Sequence, residues 1–343
     1  MSNSMSAYEF VAAGSEFRLD RVTRPIPVPA AGRVLVRVRA SSLNYRDLIH
    51  LRNKAGRNVA GRIPLSDGAG EVVAVGSDVT RVRVGDRVAG CFFQTWLGGR
   101  FEMSHHQAAL GGTADGLLTE YADLSAEGVV PIPSHLSFEE AACLPCAGLT
   151  AWVALSARGG MQSGDRVLTL GTGGVSTFAI QFATAFGGSV IATSSSDEKL
   201  ARARECGAAE TINYRTTPDW DKAVGQLTSK HGVEHIVEVG GPGTFEKSMN
   251  CVAAGGHIAL IGVLTGFGAF SGSLFPLVAR NATVCGIYVG SRSDFETMNR
   301  FLEDRQLRPV IDRAFSFANA AQAFEYLESG AHFGKVVIRH DEL

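Results

Sequence analysis

The sequence has little cysteine, six residues in 343. That is too sparse for a disulfide framework and fits a compartment where thiols stay reduced. It has no surplus of charge: 32 Lys and Arg against 34 Asp and Glu leave a formal net charge of -2. Chains that hold duplex nucleic acid or an anionic membrane carry a basic excess, so neither partner is expected. The N-terminal MSNSMSAYEFVAAGSEFRLD has no basic region leading into an apolar run, so no signal peptide is expected. Residues 167–196 and 248–279 contain no Asp, Glu, Lys or Arg, but glycines and Pro276 divide them into short runs such as HIALIGV. Such runs suit parallel strands buried on both faces better than membrane spans. No internal repeat, low-complexity tract or charge block is present. The terminal His340, Asp341, Glu342 and Leu343 spell an ER-retention signal, which is read only after entry into the ER. Without an entry signal the match is read as coincidence, and a cytoplasmic location is expected.

What the chain does have is apolar content and glycine. Hydrophobic residues make up 45% and charged residues 19%, which excludes a disordered or fibrous chain. The 40 glycines are about 12% of the sequence, against about 7% usually. Without a collagen-like period, this points to tight turns and close backbone approaches. The length suggests two domains.

The first third reads as β. RVLVRVRA (33–40) alternates apolar and charged residues, and GEVVAVG (70–76) and RVRVGDRVAG (81–90) continue this with β-branched residues and Gly-Asp turns. Ser137, followed by Glu139 and Glu140, predicts a capped helix start. From residue 166 the rhythm changes to strand and helix in alternation. RVLTL, SVIAT, TINY, HIVEV and HIALIG predict strands, with helices over 175–186, 197–205, 220–230 and 244–252. That spacing predicts a doubly wound parallel sheet. The tail adds TVCGIYVG, helices near 294–304 and 318–328, and a final strand KVVIR.

The segment RVLTLGTGGVSTF carries the most informative motif. Gly171, Gly173 and Gly174, with Thr172 and Val175 between and after them, follow a predicted strand and open a predicted helix. A dinucleotide fingerprint needs this context: a tight turn, a close backbone approach to the pyrophosphate, and helix amides facing the anion. Ser176 stands at the third glycine position and is still small. The next strand ends in Ser194, Ser195 and Ser196, where NAD-preferring sites place a carboxylate. Hydroxyls there, Lys199 within a turn and Tyr214 after the third strand favour a 2′-phosphate, so NADP(H) is expected over NAD(H).

With these residues the chain resembles the medium-chain dehydrogenase/reductase superfamily, and within it the zinc-independent quinone oxidoreductase-like branch. SSLNYRDL, PLSDGAGEVVAVG, VGDRV, FEEAACLPCAGLTAW, LGTGGVS, SSSDEKL, INYR and GKVVI carry the resemblance, in the family's order and over nearly the whole chain. It implies an α/β fold with a GroES-like, mainly β catalytic domain (1–147 and 286–343) around a Rossmann dinucleotide-binding domain (148–285). It also implies that a small substrate enters between the domains. The zinc-dependent alcohol dehydrogenases of the superfamily hold catalytic zinc with Cys, His and Cys. The matching positions here are Asn44, Ser66 and Cys146, while catalytic zinc needs three protein ligands. No metal is therefore expected, and the structural zinc lobe is absent too, since 91–120 offers Cys91 alone. Cys143 and Cys146 form a CxxC without a thioredoxin-like context, which reads as helix packing, and His105-His106 reads as solvated loop.

Without a metal to polarise a simple carbonyl, a quinone or an α,β-unsaturated carbonyl is the expected hydride acceptor. By the resemblance, Asn44 stands near the nicotinamide, with Tyr45 and Asp47 as neighbouring polar candidates. Asp47 could equally only brace its loop. Thr150, Gly240, Gly262, Val263, Gly334 and Lys335 match segments that flank the cofactor. Two alternatives stay open: an alcohol dehydrogenase-like activity of unusual type, and a cofactor-binding protein with a structural or regulatory role. A homodimer is expected, with TVCGIYVG as a suitable edge strand.

Overall fold

The computed structural model describes residues 3–340; Asp341, Glu342 and Leu343 of the terminal His-Asp-Glu-Leu run lie outside them. The chain forms two compact units. One runs to Leu149 and resumes at Val289, and the other is Thr150–Tyr288.

The first unit is mainly β. Its sheet has the strand order Ile311–Ser316, Lys335–Arg339, Arg33–Ser42, Asp67–Val75, Arg87–Gly90, Val129–Pro131, with Tyr121–Ser125 paired to the first half of Arg33–Ser42. Val34, Val36 and Val38 point inward while Arg33, Arg37 and Arg39 stay half-exposed, as the alternation predicts. A separate hairpin pairs Ser4–Ala13 with Glu16–Pro25, burying Phe10 and Phe17 against Leu43, Leu65 and Phe324. Within residues 81–90 the expected Gly-Asp turn forms, and Arg87–Gly90 pairs as the strand after it. Gly85, at φ 92°, and the Arg83 N–H bonded to Asp86 Oδ2 (2.9 Å) turn the chain just before it. The Ser137 cap forms a reciprocal box: its Oγ accepts the Glu140 N–H (3.2 Å), and Glu140 Oε2 accepts the Ser137 N–H (2.8 Å).

The second unit is a parallel sheet in the order Glu210–Asn213, Ser189–Ser194, Arg166–Leu170, Val233–Glu238, Val252–Leu260, Thr283–Gly286. The order reverses after Arg166–Leu170, which makes the sheet doubly wound and places a ligand crevice at the carboxyl end of that strand. Leu168, Ile191, Ile236 and Ile258 are sealed in the sheet, against Val224 and Met249 of the covering helices. The helix starting at Trp220 stops at Leu227, short of Lys230. Ser229 and Lys230 are left-handed (φ 50° and 67°), and the Thr228 hydroxyl accepts the Gly232 N–H (3.0 Å). Of TVCGIYVG only Thr283–Gly286 is strand, at the sheet edge. No helix among the described residues is long and apolar enough to cross a membrane.

Candidate active site

In the second unit, three adjacent strands end in register. Leu170 pairs with Thr193, and Ser194 with Asn213, so Gly171, Ser195 and Tyr214 leave the sheet at one end. Gly171 turns the chain at φ 72° with open space where a Cβ would stand. The helix Gly174–Ala185 then starts from Gly173 with no side chain capping it. Its first amides are left without a side-chain acceptor, an arrangement that an anion could meet. Ser176 is buried and its hydroxyl donates to Leu170 O (2.8 Å), so the third fingerprint position is closed by a small residue that satisfies itself. Thr172 is buried, and Gly173, Gly174 and Val175 are half-buried.

Ser194 is buried and Ser195 half-buried. Ser196 caps the next helix by accepting the Lys199 N–H (3.4 Å), which places the half-buried Lys199 one turn from the serines. Tyr214 is exposed, and its N–H donates to Ser194 O (3.0 Å). Asp197, the nearest carboxylate in sequence, accepts from Asn213 Nδ2 (2.7 Å). Thr150 is buried in the helical turn Leu149–Trp152.

Sequence reasoning missed Glu238. It is fully buried, and Oε1 accepts the N–H groups of Gly240 (2.8 Å) and Gly241 (3.0 Å) and the Thr244 hydroxyl (2.6 Å). Ser248 Oγ bonds its other oxygen. This carboxylate shapes the Gly240-Gly241 turn; an acidic residue closing a buried strand just before paired glycines was the available signal. A Cβ on Gly262 would stand 2.0 Å from Val239 O, so the strand end before the half-buried Val263 needs glycine.

In the first unit, Asn44 precedes the helix Tyr45–Leu51. Its Oδ1 accepts from Lys335 Nζ (2.7 Å), which also donates to Leu43 O (2.6 Å) and lies 3.8 Å from Asp67 Oδ2. Gly334 sets up this reach: it is left-handed (φ 78°), and a Cβ there would stand 2.4 Å from Val310 O. Asp67 is fully buried; it accepts from Ser66 Oγ (2.7 Å) and from the Cys146 N–H (3.2 Å).

Asp47 Oδ2 accepts the Asn44 N–H (2.8 Å), so this carboxylate braces the start of the helix. Burial pushes its carboxyl up to about 6, against the opposing pull of Arg46 and that backbone bond. Tyr45 packs on the core, with its hydroxyl 3.5 Å from Lys54 Nζ. Arg46 donates to Leu110 O (2.7 Å) and lies over the Phe92 ring, 4.4 Å from its centroid. Burial, then Arg46 and Arg57, hold His50 down at about 3.

Two expectations change. His105 and His106 are not solvated loop: they sit in the turn Met103–Ala108, with His105 stacked on Trp96 and His106 edge-on to Phe101 (centroids 6.2 and 5.1 Å). The glycine-rich segment around Pro276 holds a short helix, Phe275–Arg280, which the glycines obscured.

Asn44, Ser66 and Cys146 do not fit zinc. The Asn44 oxygen is taken by an ammonium and Ser66 is tied to Asp67. Cys146 is then the one soft donor left, a thiol that burial raises far above its ordinary range in the metal-free protein, as it raises Cys143 to about 12. Zinc needs thiolate, imidazole or carboxylate donors converging on one point. Among the described residues no three His, Cys, Asp or Glu side chains are grouped in that way. The same high values keep both CxxC thiols protonated and poor nucleophiles.

Comparison with known proteins agrees with both units. The alcohol dehydrogenase GroES-like domain model matches residues 30–134, and the zinc-binding dehydrogenase model matches 174–304. A zinc-type alcohol dehydrogenase-like protein of Schizosaccharomyces pombe is 44% identical over 316 residues, 90% of this chain and 91% of its own. The crystal structure of an alcohol dehydrogenase candidate from Sinorhizobium meliloti 1021 is 41% identical with a TM-score of 0.93, covering 99% of this chain and 100% of that one. The structure of 2-octenoyl-CoA carboxylase reductase CinF with NADP and 2-octenoyl-CoA is 25% identical with a TM-score of 0.85, covering 99% and 88%. The fold and the glycine loop together define a pyridine-nucleotide oxidoreductase. The chain belongs to the medium-chain dehydrogenase/reductase superfamily, among the zinc-type alcohol dehydrogenase-like proteins, and is an NAD(P)H-dependent enzyme.

Proposed function

We propose that the chain reduces a quinone or an α,β-unsaturated carbonyl with NADPH, in a zinc-independent step, as a quinone oxidoreductase-like member of its superfamily. The donor set at Asn44, Ser66 and Cys146 carries this reading, since a single thiol and two neutral, engaged oxygens make no Lewis-acid site. A conjugated acceptor needs less electrophilic help, because the arriving charge delocalises to an oxygen that a hydrogen bond stabilises. The bound nicotinamide supplies the hydride. Gly171, Thr172, Gly173, Gly174 and Val175 hold the pyrophosphate; Ser194, Ser195, Lys199 and Tyr214 take the adenosine end; Thr150, Gly240, Gly262 and Val263 flank the cofactor. Asn44 touches the reacting groups, Asp47 holds the backbone of Asn44, and Tyr45 borders them. The CinF structure, with its enoyl thioester and NADP, supports a conjugated acceptor and a phosphorylated cofactor.

A second reading, alcohol dehydrogenase-like chemistry, is favoured by the relatives named alcohol dehydrogenases. One experiment separates the two: loss of reduced-nicotinamide absorbance over a panel of quinones, enones and simple aldehydes, with NADPH and NADH, beside metal analysis of the same preparation. Turnover of the conjugated acceptors by metal-free protein is expected. Stoichiometric zinc with alcohol oxidation and no enone turnover would overturn the proposal.

A further inference from the structure

Lys335 is 2% exposed, and a buried ammonium persists only where both its donors and its charge are met. Leu43 O and Asn44 Oδ1 take two of its hydrogens, and Asp67 supplies the counter-charge. An ammonium can only donate. It therefore reads the Asn44 amide in one sense, with Oδ1 toward Lys335 and Nδ2 away from it. Nδ2 is itself buried and has no hydrogen-bond partner. A donor left in that state is costly, and an acceptor from outside the protein would relieve it.

We infer that Lys335 is a positioning residue, which pins the Asn44 oxygen so that the Asn44 Nδ2–H group is presented to the oxygen of the hydride acceptor. This rests on the acceptor chemistry proposed above. The acceptor gains a C–H bond with the hydride's electron pair, and its own π pair moves onto oxygen. The coenzyme is oxidised by the same two electrons, and a water proton completes the product. Asn44 meets the oxygen as it becomes negative; Lys335 never touches it. An amide free to rotate would offer its oxygen half the time, and that orientation repels the developing charge.

Asn44→Asp separates contact from donor. A carboxylate is nearly the same shape and pairs better with Lys335, but it cannot donate when ionised. The expected result is a melting temperature at or above that of the unaltered enzyme, NADPH affinity within about threefold, and kcat down about 100-fold with KM little changed. Lys335→Met frees the amide, and kcat falls about tenfold; Lys335→Arg, which also only donates, recovers most of it. Wild-type kcat in Asn44→Asp, or in a folded Lys335→Met, would overturn the inference. If no quinone or enone is turned over by the unaltered enzyme, the proposed function fails, and the pinning of Asn44 by Lys335, on which the positioning claim stands, is still tested without turnover. The melting temperatures of Asn44→Asp, Lys335→Met and the double variant should depart from additivity by about 3 °C or more, because the double variant strands a carboxylate. Additive shifts would sink it.

Discussion

His340 makes stability fall with acid, by an amount that can be worked out from its surroundings. It is 3% exposed, with its ring edge-on to Phe317 at 4.8 Å between centroids. Ser41 Oγ spends its one hydrogen on Leu117 O (2.6 Å), so His340 Nε2, at 3.0 Å, must be the donor to Ser41. The neutral ring then carries its proton on Nε2, and Nδ1 has no partner. A second proton on Nδ1 would place a charge on a ring sealed from solvent. Burial holds the imidazole down at about 3, from 6.5, against the opposing pull of a backbone hydrogen bond at Thr119. A lowered folded value means that the contribution is complete above pH 6.5 and is lost as pH falls below it. At pH 5, about 1.5 units into that window, the loss is about 2 kcal/mol relative to pH 7.5. His50, also held at about 3, adds a similar loss, while Asp47, raised to about 6, returns about 1.4 kcal/mol over the same interval. The variant His340→Gln isolates one contribution, because its amide still donates to Ser41 but does not titrate. Urea unfolding at both pH values should show a pH-dependent loss about 2 kcal/mol smaller in the variant than in the unaltered chain. Parallel losses would refute the burial argument.

Two further predictions concern the second unit. Lys199→Ala should lower the NADPH-over-NADH preference in kcat/KM about tenfold, the weight of one charged hydrogen bond; an unchanged ratio would remove Lys199 from the cofactor's adenosine end. The edge strand Thr283–Gly286 leaves Val284 36% and Tyr288 45% exposed, and an unpaired apolar edge invites a second copy. Light scattering should give a homodimer that Val284→Lys converts to monomer, and a monomeric unaltered chain would refute that pairing.

The sequence was most legible where one physical signal ruled locally. The strand RVLTL, the Gly171 turn and the helix behind it appear in the structure within a residue or two, because period, glycine and βαβ spacing all agree there. It was less legible where tertiary bonds override pattern. His105-His106 reads as loop because nothing in its own neighbourhood announces Trp96 and Phe101 as partners. Glu238 escaped because a carboxylate in a buried strand declares itself only through the Gly240, Gly241 and Thr244 donors that fold around it. The Lys335–Asn44 contact spans 291 residues, a separation that no periodicity or spacing argument reaches.

That contact also bears on why the first unit keeps so much buried polarity in one place. Asp47, Asp67 and Lys335 are all sealed from solvent, and apolar residues of similar volume would often serve stability as well or better. The cost is contained, since Asp67 takes bonds from Ser66 and Cys146 and Lys335 finds two acceptors. What is not contained is the free Asn44 Nδ2, together with the buried and unpartnered Asp47 Oδ1. A network that leaves a donor and an acceptor unmet is poor design for stability alone, but open polar groups are what a binding site requires before its ligand arrives. The same set engages the positions that fail to make a zinc site: Lys335 holds the Asn44 oxygen, Asp67 holds Ser66, and the two charges face each other. On the proposed function, this unit would offer an incoming oxygen a fixed dipole backed by a cation, the arrangement that suits an acceptor able to spread charge onto that oxygen.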